Sequence, residues 1–261
     1  MYQEILFNIE NNIAIITFNR PNYGNAFSEK SYEEIIDALS KCSNDESVRA
    51  VVVTGNGKTF SAGGDILEFK EYINNDEPLP VSLVVKAGNM TKAVRNCLKP
   101  VIAMINGAAA GAGFSFAMSC DFRVMSEKSK FVTSFIGLGF PGDSGLMHFL
   151  NNIIGLAKTT ELFMLSKPIS SNAAYELGLC NIVAEEGTLE EVTMKLVQEL
   201  ALKPTKAISY QKKLMNEFFF DNLTEFNKRE AEYMSLSSRT EDHQEAVNAF
   251  LEKRAPEFKG K

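Results

Sequence analysis

The chain has no tryptophan and only two histidines, and its four cysteines (Cys42, Cys97, Cys120, Cys180) lie far apart. With no CxxC pair and no histidine beside a cysteine, a structural zinc site is not expected, and the cysteines read as reduced thiols. No apolar run reaches the roughly 18 residues that a membrane span needs. The opening "MYQEILFNIENN" carries polar and charged residues where a signal peptide needs an apolar core, so a cytoplasmic chain is expected. A basic excess is missing too. Lys and Arg number 27 against 33 Asp and Glu, a net charge of −6, which argues against general nucleic-acid binding. A small polyanionic ligand remains compatible with that balance, because a few local lysines can hold phosphates. What is present is the mixture of a soluble globular protein, 45% hydrophobic and 23% charged over 261 residues. That length can bury a substantial core.

The apolar pattern alternates short strands with helices. "IAIITF" (13–18), "VRAVVVTG" (48–55), "KPVIAMING" (99–107), "FRVMS" (122–126) and "NIVAEE" (181–186) read as strands. Ser28 reads as the cap of a helix that turns Tyr32, Ile35, Ile36 and Leu39 to one side. A further helix is expected over about 81–97, and "NNDEPLP" (74–80) reads as a polar, mobile connection. From about residue 145 onward the pattern is mainly helical, with two or three amphipathic helices over 188–251. Strand–helix alternation means α/β with largely parallel strands, and the pattern alone suggests a doubly wound sheet.

Two loops carry small residues that let backbone N–H groups approach a ligand, "SAGGD" (61–65) and "AAGAGF" (109–114), and the second runs directly into a helix. Unpaired N–H groups and the positive dipole end at a helix N-terminus suit a developing negative charge. Two such donors converging on one oxygen form an oxyanion hole. Close packing alone also accounts for small residues, and the loops by themselves do not decide between the two readings. Neither matches the phosphate-binding pattern GxxxxGK[ST], and "GAAAGAG" fits a dinucleotide fingerprint only loosely.

Taken together, "FSAGGDI" after a strand, "KPVIAMINGAAAGAGFSFAMSCDFRV", "SNAAYELGLCNIV" and the tail "AVNAFLEKRAPEFKG" resemble the crotonase, or enoyl-CoA hydratase/isomerase, superfamily over nearly the whole chain. The resemblance implies an α/β fold with a ββα spiral core over residues 1–200 and a C-terminal helical trimerisation region over 201–261. It implies a homotrimer or hexamer and an acyl-CoA thioester as substrate, with an acyl carrier protein as an alternative carrier. Coenzyme A is then part of the substrate, and no separate cofactor or metal is expected. By position, the N–H groups of Gly64 and Ala112 would form the oxyanion hole. Ala62 and Ile66 fall where the family holds the adenine end of coenzyme A. Asp65 is expected to stabilise its loop.

The family's hydratases use two glutamates to activate water, and the matching positions here are Ser115 and Phe135. Neither is an acid or base at neutral pH, so hydration is disfavoured. Asp143 lies eight residues beyond Phe135 in "SFIGLGFPGDSG", where the family's dienoyl-CoA isomerases, and its isomerases of ring-epoxidised phenylacetyl-CoA, carry an aspartate. The "AAGAG" loop and the "AFL.KR.P.F.GK" ending match the latter type. The segment "FPGDSGLMH" departs from its usual glycine pair and aromatic residue.

The resemblance thus implies a one-base isomerase with Asp143 as the base, inside an apolar pocket from Phe114, Phe135 and Phe140. Such a pocket raises a carboxylate's pKa toward a useful range. A helix cap is the competing role for Asp143. Thioester decarboxylation and a silent acyl-CoA-binding scaffold are the competing functions. His148 is expected to be packed and His243 to sit on an exposed helix face. Asp121 is expected to hold a turn.

Overall fold

The hairpin of β1 (Ile5–Glu10) and β2 (Ile13–Phe18) opens the chain and is antiparallel. It is followed by α1 (Glu29–Asn44), whose cap Ser28 accepts a hydrogen bond from Ser31 N–H in a reciprocal capping box. The computed structural model describes all residues from 1 to 261.

Three ββα turns come next. The first is β3 (Ala50–Gly55) and β4 (Thr59–Ser61) with α2 (Ile66–Asn74) and α3 (Val81–Asn96). The second is β5 (Val101–Ile105), β6 (Ala108–Ala110) and α4 (Ala112–Ser119). The third is β7 (Phe122–Ser126), β8 (Lys130–Val132) and α5 (Leu146–Leu165). Then follow β9 (Ile169–Ser170), α6 (Ser171–Glu176), β10 (Ile182–Ala184) and four closing helices. These are α7 (Leu189–Ala201), α8 (Thr205–Phe219), α9 (Leu223–Ser237) and α10 (Glu241–Glu252).

The doubly wound sheet expected from pattern is not what forms. Strands β1-β2-β3-β5-β7-β10 make one sheet in unreversed order, and β4-β6-β8-β9 make a second. Each turn of the chain therefore gives one strand to each sheet, which is a spiral. The corners explain the difference. A Cβ on Gly55 would lie 2.3 Å from Thr59 O, and one on Gly107 would lie 2.0 Å from Lys58 O. Only glycine lets the chain bend that closely from the first sheet into the second. The short strands β4, β6 and β8 were too brief to leave a period in the sequence. Helix α2 begins inside a segment that reads as a glycine loop, because Asp65 caps it through Leu67 N–H at 2.9 Å. The C-terminal region holds four helices, not two or three.

A main cluster of 47 buried residues fills the space between the sheets and helices α1, α3, α4 and α5, and a smaller one of 7 lies under α7. At roughly 1.5–3 kcal/mol per fully buried large apolar side chain, the main cluster is the principal source of stability. No helix is long and apolar enough to cross a membrane.

Candidate active site

The two glycine loops meet at the inner edge of the second sheet. Strands β4 and β6 pair in parallel, so the chain leaving β4 at residue 61 and the chain leaving β6 at residue 110 run side by side. Gly63 adopts φ 96°, and a Cβ there would sit 2.8 Å from Ala110 O and 3.2 Å from Ala112 N. Gly113 is equally confined, with its would-be Cβ 2.7 Å from Ser61 O. These contacts are too close for any side chain, so the small residues bring one loop's backbone against the other's helix start.

Ala112 is the first residue of α4, and its N–H belongs to the turn that has no intrahelical acceptor. The parallel bridge between Phe27 and Gly64 runs through Gly63 O and Asp65 N–H, and leaves the N–H of Gly64 outside it. Ala62 is exposed and Ile66 is half-buried at the outer end of the same loop. Asp65 is tied down, accepting from Leu67 N–H and pairing with Arg20 Nη2 at 2.8 Å.

Asp143 is brought to this helix start by Ser115. The Ser115 hydroxyl donates to Asp143 O at 2.9 Å and lies within 3.2 Å of Gly111 O, so it bridges α4 to the 142–145 turn. The competing cap role is not the one Asp143 fills. The N-cap of α5 is Gly145, in the left-handed region at φ 76°, with no side-chain cap bond. Asp143 is instead buried, and its Oδ1 has no hydrogen-bond partner. Burial, outweighing the polar groups of adjacent Ser144, pushes its pKa up from 3.8 to about 7.

The aromatic residues divide. Phe114 is spent on the core, fully buried and stacked on Phe131 with ring centroids 4.2 Å apart. Phe135 stands 3.7 Å from where a Gly111 Cβ would be and stacks on Phe163. Phe140 packs edge-on against Phe69, and the tip of the Phe69 ring covers Gly64, 2.7 Å from a Cβ built there. Phe140 also lines an apolar cavity of about 290 Å³ together with Ile136, Pro141, Met147, Leu156 and Phe163.

His243 departs from expectation. It is 1% exposed, its Nδ1 is 2.7 Å from Leu138 O, and its ring lies 4.2 Å from that of Phe140. The first turn of α10 folds onto the 136–140 turn, a tertiary contact that helix periodicity does not reveal. Burial lowers its pKa. His148 is partly buried against Phe149, Phe220 and Phe226. Asp121 does hold its turn, paired with Arg95 and Lys212 and accepting from Val101 N–H.

Three groups near the site escaped sequence reasoning. Tyr32 of α1 is buried, and its phenol pKa is raised well above 10 by burial and by the charges of Asp143, Glu68 and Asp65. Glu68 of α2 is half-buried, with a pKa pushed up to about 7 by burial and by Asp65. Glu230 of α9 is buried behind the 142–145 turn. Tyr32 lay in the apolar stripe of α1 and read as core, whereas Glu68 and Glu230 carried no local signal. No group of three or more His, Cys, Asp or Glu side chains is arranged to hold a metal ion.

A backbone donor at the start of α4, the Gly64 N–H on the adjoining loop and a buried carboxyl whose pKa sits near neutrality are groups that can stabilise an oxyanion and move a proton. That fold and chemistry belong to a known class. Residues 8–261 match the enoyl-CoA hydratase/isomerase family, and the chain belongs to it. Among its relatives, it is 31% identical to trans-2-decenoyl-[acyl-carrier-protein] isomerase of Streptococcus mutans, over 100% of this chain and 99% of that one. It is 30% identical to 1,2-epoxyphenylacetyl-CoA isomerase of Escherichia coli, over the full length of both. An enoyl-CoA hydratase structure from Mycobacterium avium subsp. paratuberculosis superposes with a TM-score of 0.90 at 24% identity, covering 99% of this chain and 100% of that one. Relatives named as hydratases match over nearly the same length. The chain is thus a crotonase-superfamily enzyme that processes acyl thioesters.

Proposed function

We propose that this protein is an enoyl-thioester isomerase that moves a double bond from the 3 to the 2 position. The Gly64 and Ala112 N–H groups donate hydrogen bonds to the thioester carbonyl oxygen as negative charge builds on it. Asp143 removes a proton from C2, leaving an enolate held in that oxyanion hole. It then delivers the same proton to C4, and the bond shifts into conjugation with the carbonyl. One carboxylate suffices, because it gains and returns a single proton. A base with a pKa near 7 is well matched to that work, since it is available at neutral pH yet gives the proton back. Each oxyanion donor contributes about 2.7–4 kcal/mol of transition-state stabilisation.

The observation that carries this reading is the buried, unpartnered carboxyl of Asp143, tied through Ser115 to the helix that begins at Ala112. The positions at which the family's hydratases carry their glutamates hold Ser115, engaged with Asp143 O, and Phe135, engaged with Phe163. Both leave water without an activating acid or base, which supports isomerisation over hydration. The names of two full-length relatives support it as well, and one of them acts on a carrier-protein thioester. Coenzyme A and carrier-bound phosphopantetheine present the same thioester arm to this site. We further propose a trimeric or hexameric assembly. Phe218, Phe219, Tyr233 and Leu236 on α8 and α9 are well exposed and offer an apolar face to a neighbouring subunit.

The test is a conjugation assay on 3-hexenoyl-CoA and a medium-chain 3-enoyl thioester, with wild type and Asp143→Asn. The expected result is a rise in enoyl-thioester absorbance that collapses in the variant. Full turnover by a folded Asp143→Asn protein would remove Asp143 from the mechanism. Loss of CO₂ from a malonyl-type thioester without any isomerisation would replace the proposal with decarboxylation.

A further inference from the structure

Four buried side-chain polar atoms lack a hydrogen-bond partner, and all four surround one turn: Asp143 Oδ1, Ser144 Oγ, Asn227 Oδ1 and Glu230 Oε1. Orphaned buried polar atoms are costly, so their concentration behind a single residue calls for a cause. Asn227 and Glu230 are three apart on α9 and therefore share a helix face. That face meets the turn directly. Gly145 N–H donates to Glu230 Oε2 at 2.7 Å, a Cβ on Gly142 would lie 3.2 Å from Glu230 Oε1, and one on Gly145 would lie 2.8 Å from Asn227 Oδ1. Glycine at both positions allows α9 to press its polar side chains against the backbone that carries Asp143.

We propose that Glu230 is a positioning residue for Asp143: a carboxyl that seats the 142–145 turn through Gly145, stays protonated while Asp143 works, and keeps the buried pair to one negative charge. The inference rests on Asp143 being the base. Two carboxylates in one water-poor pocket cannot both ionise cheaply, so their titrations are pushed apart and belong to the pair. Glu230 is raised to about 8, by burial first and by Asp143 second, and is opposed only by its bond from Gly145.

Asp143 is the one charged group that acts on Glu230. Around the same turn, Gly88 of α3 accepts from Asn227, Thr91 of α3 donates to Ser144 O, and Phe163 and Phe149 of α5 lie beside Gly142 and Gly145. Tyr32, which feels Asp143, Glu68 and Asp65, lies on the α1 side of the pocket. Because Asp143 takes and returns the same proton, Glu230 keeps its own throughout, and no proton is gained or lost by the pair over a turnover.

The experiment follows carboxyl protonation by isotope-edited infrared titration of wild type, Asp143→Asn and Glu230→Gln, alongside pH–rate profiles. In wild type the two carboxyls are expected to titrate in separate steps, and in Asp143→Asn the Glu230 step moves to lower pH. Glu230→Ala, which also deletes the acceptor for Gly145 N–H, lowers kcat on the order of 10²-fold with little change in KM, as expected for a misplaced base. Glu230→Gln keeps that acceptor and recovers much of the loss, but its pH–rate profile lacks the second, alkaline inflection of wild type. A Glu230 step in the ordinary glutamate range, or one indifferent to Asp143→Asn, overturns the proposal. So does a Glu230→Gln profile that superimposes on wild type. The Asp143→Asn titration decides the matter even if Glu230 variants fail to fold. If wild type turns over no enoyl thioester, the infrared steps still report the pairing, and only the isomerase reading falls.

Discussion

Replacing Asp143 with Asn should make the protein more stable than wild type at alkaline pH, and the size of the effect follows from the buried carboxyl. In the folded chain the Asp143 pKa is raised from 3.8 to about 7. A carboxyl with a raised folded-state pKa is ionised first in the unfolded chain. Stability is therefore unaffected below the unfolded value, falls as pH rises between the two values, and levels off above the folded one. At 1.36 kcal/mol per pH unit, the complete loss is about 4 kcal/mol, of which roughly a third has gone by about pH 5. Asparagine does not titrate, and any fixed cost of its amide cancels when one variant is compared with itself at two pH values. The stability difference between Asp143→Asn and wild type should then move in favour of the variant by about 3 kcal/mol from about pH 5 to about pH 8. Urea denaturation of both proteins at the two pH values measures it. Water entering the pocket would reduce the figure but not reverse its sign. A difference that stays constant with pH would refute the argument, because Asp143 would then titrate alike in the folded and unfolded chains. Gained stability with lost turnover is the trade expected of a site built from an unfavourable charge.

Other consequences concern the same scaffold. The kcat/KM of wild type for a 3-enoyl thioester should rise with pH, with its acid-side midpoint near 7, as Asp143 ionises, before the alkaline inflection set by Glu230; a profile flat through that range would exclude Asp143 as the base. Ser115→Ala removes the hydroxyl that holds Asp143 O, and should cost about 1 kcal/mol in stability and lower kcat far more than it changes KM. Gly63→Ala must adopt a φ of 96° and meet Ala110 O at 2.8 Å. It should lose about 1–3 kcal/mol of stability, and by displacing the hole it should lower kcat by up to about 10²-fold; both are read from denaturation and steady-state kinetics. Asp121→Ala strands the buried Lys212 and Arg95 charges and should destabilise by about 3–5 kcal/mol, with the thermal midpoint as readout and only an indirect effect on turnover.

The residues that could be read from the sequence are those whose task is local. Ser28 caps α1 because the N–H its hydroxyl accepts from, that of Ser31, lies only three residues on, and "VRAVVVTG" forms a strand because every residue of β3 is buried. The glycine loops were legible as places of close backbone approach, as Gly63 and Gly113 prove to be, and the absence of acids at Ser115 and Phe135 already argued against hydration. The paired sheets were not legible, since three-residue strands carry no period and the bends at Gly55 and Gly107 depend on contacts with residues 58 and 59. His243 shows the same limit: its place on a polar helix pointed to solvent, while its burial comes from a turn more than a hundred residues earlier.

The sequence by itself thus determined the α/β class through its strand–helix alternation and, through its resemblance to a known family, that family and a single candidate base. Tertiary structure alone decided the environment of that base. Ser115 and Glu230 reach it from 28 residues before and 87 residues after in the chain. The pKa of a carboxyl is set by the water it loses and the charges it meets, and both depend on which distant segments pack around it.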